Sequence, residues 1–330
     1  MKVDAPLLTT DLAEVPAEVR EIERLGHDGL LTFEGPSDPF LPLALAAEHS
    51  VRLELATGVA IAFPRSPMQL AYTAHDLQRV SQGRLIVGLG SQVKAHVEKR
   101  YGATWSRPVA RMREFVLALR AIWRCWNENE PLRFQGEFYR HTLMPPVFAP
   151  PSSPHGPPRV FLAGVGRPMT AVAGEVADGL FVHPLNSPEF IRGTTLPALE
   201  AGFEVACQAL VVTGFTEDEV RQAELATRMQ LAFYGSTPQY RVVLETHGWG
   251  SLQPELHALA RQGRWMEMGA LIDDRVLDTF TVRCAPQELA ARLRARYAGL
   301  ADRVSIISHA RPQRTEPAFW MALIAELRGR

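Results

Sequence analysis

The sequence predicts an α/β fold, a (β/α)8 barrel with two insertions, and three observations lead to it. Short apolar runs alternate with longer amphipathic runs along the chain of 330 residues. Strands separated by helices imply parallel pairing, and eight strand–helix units fit a chain of this length. A doubly wound open sheet is the main alternative to a closed barrel. The predicted strands cover residues 2–7, 28–34, 52–63, 84–90, 159–164, 178–184, 205–214 and 303–308.

The predicted helices follow from apolar spacing and from residues that favour helix boundaries. Gly26 suits the end of the first helix, and Pro67 suits the first turn of the third. The helices are expected over residues 14–25, 40–50, 67–82, 92–100, 108–126, 168–177, 187–202, 217–232, 285–300 and 315–328.

Two segments interrupt the alternation of strands and helices. The proline-rich segment 128–158, after the fourth barrel helix, predicts a small antiparallel hairpin followed by an extended lead-in. Residues 235–280, before the last helix–strand unit, predict a mostly helical insertion. Segment 128–158 could instead be an interdomain linker, but the alternation resumes beyond it without a change of composition. We therefore expect residues 1–330 to form one domain, with substrate loops in the insertions.

Composition and motifs exclude several classes of function. The 35 Lys and Arg residues balance 36 Asp and Glu residues, and no basic tract indicates a nucleic-acid partner. No run of 18 apolar residues predicts a membrane span, and the first residues lack a signal-peptide pattern, so a cytoplasmic protein is expected. Three distant cysteines and ten scattered histidines form no metal-ligand pattern. No GxSxG motif indicates a serine hydrolase.

The chemistry of a parallel barrel is expected where the strands end, because their C-termini meet on one face. The fourth strand ends in small residues at Gly88, Gly90 and Ser91, just before a polar helix. These residues allow a flat ligand to approach the backbone, or else they form only a tight turn.

A second glycine turn follows the fifth predicted strand. Residues Gly164, Val165, Gly166 and Arg167 lead directly into a helix, and the free N–H groups at a helix start can bind a phosphate. Arg167 could add a charge-assisted hydrogen bond. The residue at 169 is Met, so the dinucleotide fingerprint GxGxxG is not matched, and a plain glycine turn is the alternative.

Three stretches together make the sequence recognisable. "SPMQLAYTAHDLQRVSQGRLIVGLGSQVKAHVEKRYG", "PPRVFLAGVGRPMTAVAGEVADGLF" and "CAPQELAARLRARYAGLADRVSII" occur in the order and at the spacing of one family. The chain resembles the luciferase-like monooxygenase superfamily over nearly its whole length. The stretches "DPFLPLALAAEHS" and "GLGSQVKAHVEKRYG" are similar to the branch described as F420-dependent oxidoreductases.

This resemblance implies a flavin or deazaflavin over the C-terminal face of the barrel, and commonly a homodimer. It implies hydride transfer between coenzyme F420 and a small organic substrate. An FMN-dependent monooxygenase and a non-catalytic flavin-binding protein are the alternatives. Segments 128–158 and 235–280 are expected to form the substrate pocket. Five aromatic residues are candidate walls of this pocket: Trp105, Phe138, Tyr139, Trp249 and Trp265.

The resemblance also transfers to individual positions. It implies a cis peptide between Gly58 and Val59 that forms a bulge under the cofactor ring. The phosphate loop maps onto Gly164, Val165, Gly166 and Arg167, and the loop after the fourth strand maps onto Gly90, Ser91 and Gln92.

One departure from the family concerns the proton donor. An acidic donor of some deazaflavin enzymes would fall at Val93, which cannot donate a proton. Glu34, His96 and His183 are the remaining acid or base candidates, because all three are predicted near the barrel mouth. His96 would lie on the first turn of the helix after the fourth strand.

Overall fold

The computed structural model describes residues 1–309 and 316–329. Eight parallel strands close into a barrel in the order β1–β2–β3–β5–β8–β9–β10–β12, which confirms the predicted fold. The twelve strands in the described part of the chain are β1 (Lys2–Pro6), β2 (Gly29–Thr32), β3 (Glu54–Thr57), β4 (Ala60–Ile61), β5 (Leu85–Gly90), β6 (Phe134–Gln135), β7 (Arg140–His141), β8 (Arg159–Gly164), β9 (Gly179–Val182), β10 (Glu204–Val212), β11 (Thr281–Arg283) and β12 (Arg303–Ser308).

The barrel closes where the first and last strands meet. Lys2, Val3 and Asp4 of β1 pair in parallel with β12, and β9 pairs in parallel with β10. All eight predicted strands are confirmed, although the third is divided into β3 and β4. Strand β5 is buried along its whole length, as expected for a parallel strand with both faces covered.

Helices surround the barrel on the outside. The short β6–β7 hairpin lies within the predicted insertion 128–158, and four helices, α9 to α12, lie within the insertion 235–280. The helices are α1 (Val15–Leu25), α2 (Phe40–His49), α3 (Pro67–Val80), α4 (Lys94–Lys99), α5 (Pro108–Glu128), α6 (Arg167–Val176), α7 (Pro188–Phe190), α8 (Glu217–Gly235), α9 (Arg241–Glu245), α10 (Leu252–Arg261), α11 (Trp265–Ala270), α12 (Asp274–Phe280), α13 (Leu289–Tyr297) and α14 (Pro317–Leu327).

One predicted helix is wrong in its detail. The helix expected over 187–202 is instead α7, a π-helical turn at Ile191–Thr195 and a 3-10 turn at Leu196–Ala198. Pro197 lacks the N–H that a continuous α-helix needs, and Gly193 lowers helix propensity. The predicted start of the final helix, at residue 315, lies outside the described residues.

The barrel interior contains a layer of apolar side chains from successive strands. Its members share full or nearly full burial, and each comes from a different strand: Leu31, Ala56, Ile86, Phe161, Phe181 and Ala206. Below this layer, at the N-terminal end, Arg303 pairs with three carboxylates. The interior is thus filled, so the open space for a ligand lies above it, at the C-terminal ends of the strands.

Candidate functional site

A cavity of about 970 Å³ opens at the C-terminal ends of the barrel strands. Its walls come from the residues that end β2, β5, β8, β9 and β12, and from the start of the 235–280 insertion and the helix α8 that precedes it. The site is therefore on the face where parallel barrels carry their active sites, and its volume suits a cofactor or a drug-sized ligand.

The floor of the cavity includes a cis peptide between β3 and β4. The bond between Gly58 and Val59 is cis, as predicted. The Gly58 N–H donates to the carbonyl oxygen of Thr32 at 2.5 Å, and the Val59 carbonyl accepts from the Glu34 N–H at 3.2 Å. Both Gly58 and Val59 line the cavity, so the bulge is fixed to strand β2 and faces the ligand space.

Two glycines near the end of β5, Gly88 and Gly90, are required by different contacts. A Cβ on Gly88 would lie 1.8 Å from the backbone oxygen of Thr57, so this position is set by strand packing. A Cβ on Gly90 would lie 2.7 Å from Cγ2 of Val59, beside the cis peptide. Gly90, Ser91 and Gln92 line the cavity, whereas Gly88 does not. Strand packing therefore accounts for Gly88, and Gly90 leaves room for the bulge at Val59.

The turn after β8 leads into helix α6. Gly164, Val165 and Gly166 line the cavity, and Gly166 is the N-cap residue. A Cβ on Gly164 would lie 3.2 Å from Cγ of Met169, which is tight. A Cβ on Gly166 would meet only Cδ of Pro168, at 3.7 Å, so the space above Gly166 is open.

Arg167 is placed differently from these glycines. Its side chain is exposed and is absent from the described lining of the cavity. Pro168, the second helical residue, has no N–H, so α6 offers fewer donors at its start than most helices.

Glu34 lines the cavity, but both of its carboxylate oxygens already accept hydrogen bonds from other parts of the protein. One oxygen accepts from the backbone N–H of Ile61 and from Arg65, each at 2.6 Å. The other oxygen accepts from the Tyr101 hydroxyl at 2.8 Å. Burial and the Glu34 carboxylate raise the pKa of Tyr101. Glu34 thereby joins the β2 loop to β4 and to residue 101 through both of its carboxylate oxygens.

His183 follows β9 and lies in the cavity wall. Its Nδ1 accepts a hydrogen bond from the backbone N–H of Leu185 at 3.1 Å, which places the ring proton on Nε2. Burial lowers the pKa of His183 to about 3. The ring is therefore neutral at pH 7 and is arranged to donate a hydrogen bond through Nε2, rather than to exchange protons as an acid or base.

His96 is not brought to the cavity. Its side chain is exposed on helix α4 and is not part of the described cavity lining, whereas Val93, three residues earlier, is. Among the five predicted aromatic walls, Trp105 alone lies in that lining. Trp249 instead packs against Phe280, and Trp265 lies near Phe233 on the surface of the insertion.

Many lining side chains were not predicted from the sequence, and four of them lie on the same wall as His183. Gln230 and Tyr234 come from α8, Tyr240 from the turn that follows, and His309 from the end of β12. No short motif marks these residues, because they come from α8, from the start of the insertion and from the end of β12, and only the tertiary structure brings those segments together. The one available signal was the position of the insertion itself.

Within the described residues, no cluster of His, Cys, Asp and Glu has the arrangement of a metal site. The three cysteines are all free thiols. In the same part of the chain, every helix is too short or too polar to cross a membrane.

A closed parallel barrel with a large cavity at its C-terminal face defines the chain as a barrel enzyme. The particular family follows from the sequence comparison: the model of the luciferase-like monooxygenase family matches residues 2–303. The chain belongs to this family, as its sequence motifs had indicated.

Relatives support the same assignment. An uncharacterized protein of Mycobacterium tuberculosis is 49% identical over 314 residues, which cover 92% of each chain. A 5,10-methylenetetrahydromethanopterin reductase of Archaeoglobus fulgidus is 25% identical over 266 residues, which cover 76% of this chain and 75% of the relative.

Solved structures share the fold. The coenzyme F420-dependent tetrahydromethanopterin reductase of Methanopyrus kandleri has a TM-score of 0.78 at 18% identity and covers 99% of this chain and 98% of its own. A 3,6-diketocamphane monooxygenase component of Pseudomonas putida, in complex with FMN, has a TM-score of 0.66 at 16% identity, with coverages of 99% and 96%. The fold is thus shared by proteins that use a deazaflavin and by proteins that use a flavin.

Proposed function

We propose that this protein transfers hydride between the deazaflavin coenzyme F420 and a small organic substrate. The observation that carries the proposal is one continuous cavity that joins the cis bulge at Gly58 and Val59 to the glycine turn at Gly164 and Gly166. A relative and a structural neighbour are named as reductases, and the neighbour's name includes F420.

The residues of the cavity fit such a cofactor. The cis bulge offers a backbone surface for the ring, and Gly90 carries no side chain that would displace Val59 from it. The open space above Gly166 suits a phosphate, with the start of α6 and the exposed side chain of Arg167 nearby. Ser91 and Gln92 would border the cofactor between these two ends.

The chain's own groups position the reactants and exclude water. When bound, the reduced deazaflavin supplies a hydride. Glu34 holds the β2 loop through Arg65 and Tyr101, which keeps the bulge in place. His183 lines the cavity as a neutral ring whose Nδ1 accepts from the Leu185 N–H. His96 would act only through solvent, because it lies outside the described lining.

A reduced FMN monooxygenase is the second candidate, and the FMN complex of a barrel with the same fold favours it. A non-catalytic flavin-binding protein would bind a cofactor without turnover. We also propose a homodimer, which sedimentation equilibrium would test.

The experiment is a titration of the purified protein with F420 and, separately, with FMN, in which binding is measured by fluorescence. We expect F420 to bind at least tenfold more tightly, because the Archaeoglobus fulgidus relative is named as a reductase and the Methanopyrus kandleri neighbour is an F420-dependent reductase. Tighter binding of FMN, together with consumption of oxygen when reduced FMN is supplied, would favour the monooxygenase. Binding of either cofactor without turnover with any reductant would favour the non-catalytic alternative.

A variant tests the phosphate position. Gly166→Val places a branched side chain in the open space above the turn, and the extended backbone of Gly166 tolerates it. We expect at least a tenfold loss of cofactor affinity with little change in melting temperature. Gly193→Val is the matched control, because Gly193 is exposed and lies outside the described lining. Unchanged affinity in Gly166→Val would place the phosphate elsewhere.

A further inference from the structure

One wall of the cavity concentrates polar side chains from three separate parts of the chain. His183 follows β9, Gln230 and Tyr234 lie on α8, Tyr240 lies in the next turn, and His309 follows β12. The ring of His183 lies 4.6 Å from the ring of Tyr234 and 4.2 Å from the ring of Tyr240. Tyr234 of α8 and Tyr240 of the insertion thus both pack against the ring of His183.

The proton on His183 has a fixed position. The Leu185 N–H occupies Nδ1, so the proton of the neutral ring is on Nε2. The side-chain amide of Asn186 donates to the backbone carbonyl of His183 at 2.7 Å, which fixes the backbone that carries the ring. His183 therefore offers one donor and no free acceptor.

The Tyr234 hydroxyl is held as a donor by its neighbour Gln230. The Gln230 amide N–H donates to the Tyr234 hydroxyl at 2.8 Å, and the Gln230 amide oxygen lies 2.9 Å from Nε2 of His309. This chain fixes the orientation of the amide, so the Tyr234 hydroxyl accepts from Gln230 and keeps its own proton to donate. Burial raises the pKa of Tyr234, and burial with the nearby Tyr234 raises the pKa of Tyr240 to about 12, so both phenols stay protonated.

We propose that His183, Tyr234 and Tyr240 form a subsite for the oxygen of an uncharged carbonyl substrate, such as a ketone or an aldehyde. The proposal deepens the function proposed above and rests on it, because a carbonyl carbon is an acceptor for hydride. Neutral N–H and O–H donors match the lone pairs of a neutral carbonyl oxygen. A carboxylate would lose its hydration here, while His183, Tyr234 and Tyr240 carry no positive charge to compensate it.

The subsite also assigns a purpose to the insertion. Tyr240 lies at the start of the 235–280 insertion, whereas His183 belongs to the barrel. The substrate oxygen would then contact both Tyr240 and His183. The insertion would therefore help to select the substrate by supplying Tyr240, in addition to forming part of the cavity wall.

Binding of two shape-matched probes to the full chain tests the subsite. Acetophenone carries a neutral carbonyl, and benzoate carries a carboxylate on the same ring. We expect acetophenone to bind at least tenfold more tightly than benzoate at pH 7, measured by titration of histidine side-chain signals in 15N-labelled protein. The same spectra should show one neutral histidine protonated at Nε2 that shifts with acetophenone, and this signal should vanish in His183→Leu.

Variants separate hydrogen-bond donation from proton exchange. His183→Leu removes the donor and should weaken acetophenone binding at least tenfold, whereas His183→Gln retains a neutral N–H and should remain within about threefold of wild type. Tyr234→Phe and Tyr240→Phe should each weaken binding several-fold. Tyr72→Phe is the control, because the Tyr72 hydroxyl bonds to the carbonyl of Phe148, and Tyr72 lies outside the described lining.

Two outcomes would overturn the subsite: benzoate binding more tightly than acetophenone, or equal acetophenone affinity in wild type and His183→Leu. The cofactor proposal fails separately. If acetophenone binds as expected while F420 does not bind, the carbonyl subsite stands and the cofactor assignment does not. If F420 binds but acetophenone does not, the cofactor assignment stands and the carbonyl subsite does not.

Discussion

The Asp4 carboxylate and the Arg303 guanidinium form a two-point ion pair across the seam where the barrel closes. Nε of Arg303 lies 2.6 Å from Oδ2 of Asp4, and Nη2 lies 2.8 Å from Oδ1, although the residues are 299 positions apart. Both side chains are 1% exposed. Glu54 and Glu204 each lie 3.0 Å from the same guanidinium. Burial alone would lower the pKa of Arg303, but the Asp4 carboxylate and its neighbours raise it, so the cation is permanent.

Removing Arg303 should cost more stability than removing the whole pair. Arg303→Met leaves the buried Asp4 carboxylate without its partner, and we expect a loss of about 3–5 kcal/mol in the free energy of unfolding. The double variant Asp4→Leu with Arg303→Met should recover more than half of this loss in urea denaturation. Lys2 and Arg159 still compensate Glu54 and Glu204 in the double variant. A double variant as unstable as the single one would show that Asp4 is not the source of the cost.

The two glycines of strand β5 should respond differently to alanine. Gly88→Ala sets a Cβ against the backbone oxygen of Thr57, which cannot move without shifting strand β3, so we expect a loss of about 3 kcal/mol or failure to fold. Gly90→Ala meets only the end of the Val59 side chain and should cost about 1 kcal/mol. Adding Val59→Ala to Gly90→Ala should recover most of the lost stability, because it removes the side chain that the new Cβ would meet. Equal melting temperatures for the two single variants would contradict the packing argument.

His27 should make the fold sensitive to acid. The ring is 3% exposed, and burial lowers its pKa to about 4 from a value near 6.5 in the unfolded chain. Between these two values the unfolded state binds the extra proton, so stability is complete at pH 7 and falls as the pH falls. Going from pH 7 to pH 5 should cost about 2 kcal/mol through this one residue.

The comparison that isolates this effect uses His27→Gln. The difference in unfolding free energy between wild type and His27→Gln should change by about 2 kcal/mol between pH 7 and pH 5 in denaturant titrations. His49→Gln, at an exposed histidine of α2, is the control and should leave the pH dependence of wild type unchanged. A difference that does not vary with pH would show that His27 is not held neutral.

A hydrogen bond between Ser187 and His247 should anchor the insertion to the barrel. Oγ of Ser187 and Nε2 of His247 are 2.8 Å apart, and the His247 ring stacks on Trp249. His247→Phe keeps an aromatic ring and removes the bond, so we expect amide exchange over residues 235–280 to accelerate about fivefold, equivalent to about 1 kcal/mol.

The control for this exchange experiment lies in the same insertion. Thr246→Val removes a hydroxyl whose hydrogen bond, among the described residues, goes to the carbonyl of Val242 in α9, and it should leave the exchange of the other insertion helices unchanged. Exchange in His247→Phe that matches wild type would show that apolar packing alone holds the insertion.

The sequence by itself determined the strands, most helices, the positions of both insertions and the family. These features are encoded locally, because an apolar run or a helical period is complete within one element. The glycine turns at Gly90 and Gly164, which line the cavity, were readable for the same reason: each lies where a strand meets a helix. The cis peptide at Gly58 was readable only through the family resemblance.

Only the tertiary structure decided how the candidate side chains are used. In the sequence Glu34 is a candidate acid or base, but in the structure Arg65 and Tyr101 donate hydrogen bonds to its carboxylate. His96 has helical spacing from Val93, yet its side chain is exposed and is not among the residues of the described cavity lining. The neutral donor at His183 and the tyrosines beside it depend on contacts between distant segments. Such contacts follow from strand register and from the docking of the insertion, which no local pattern in the sequence specifies.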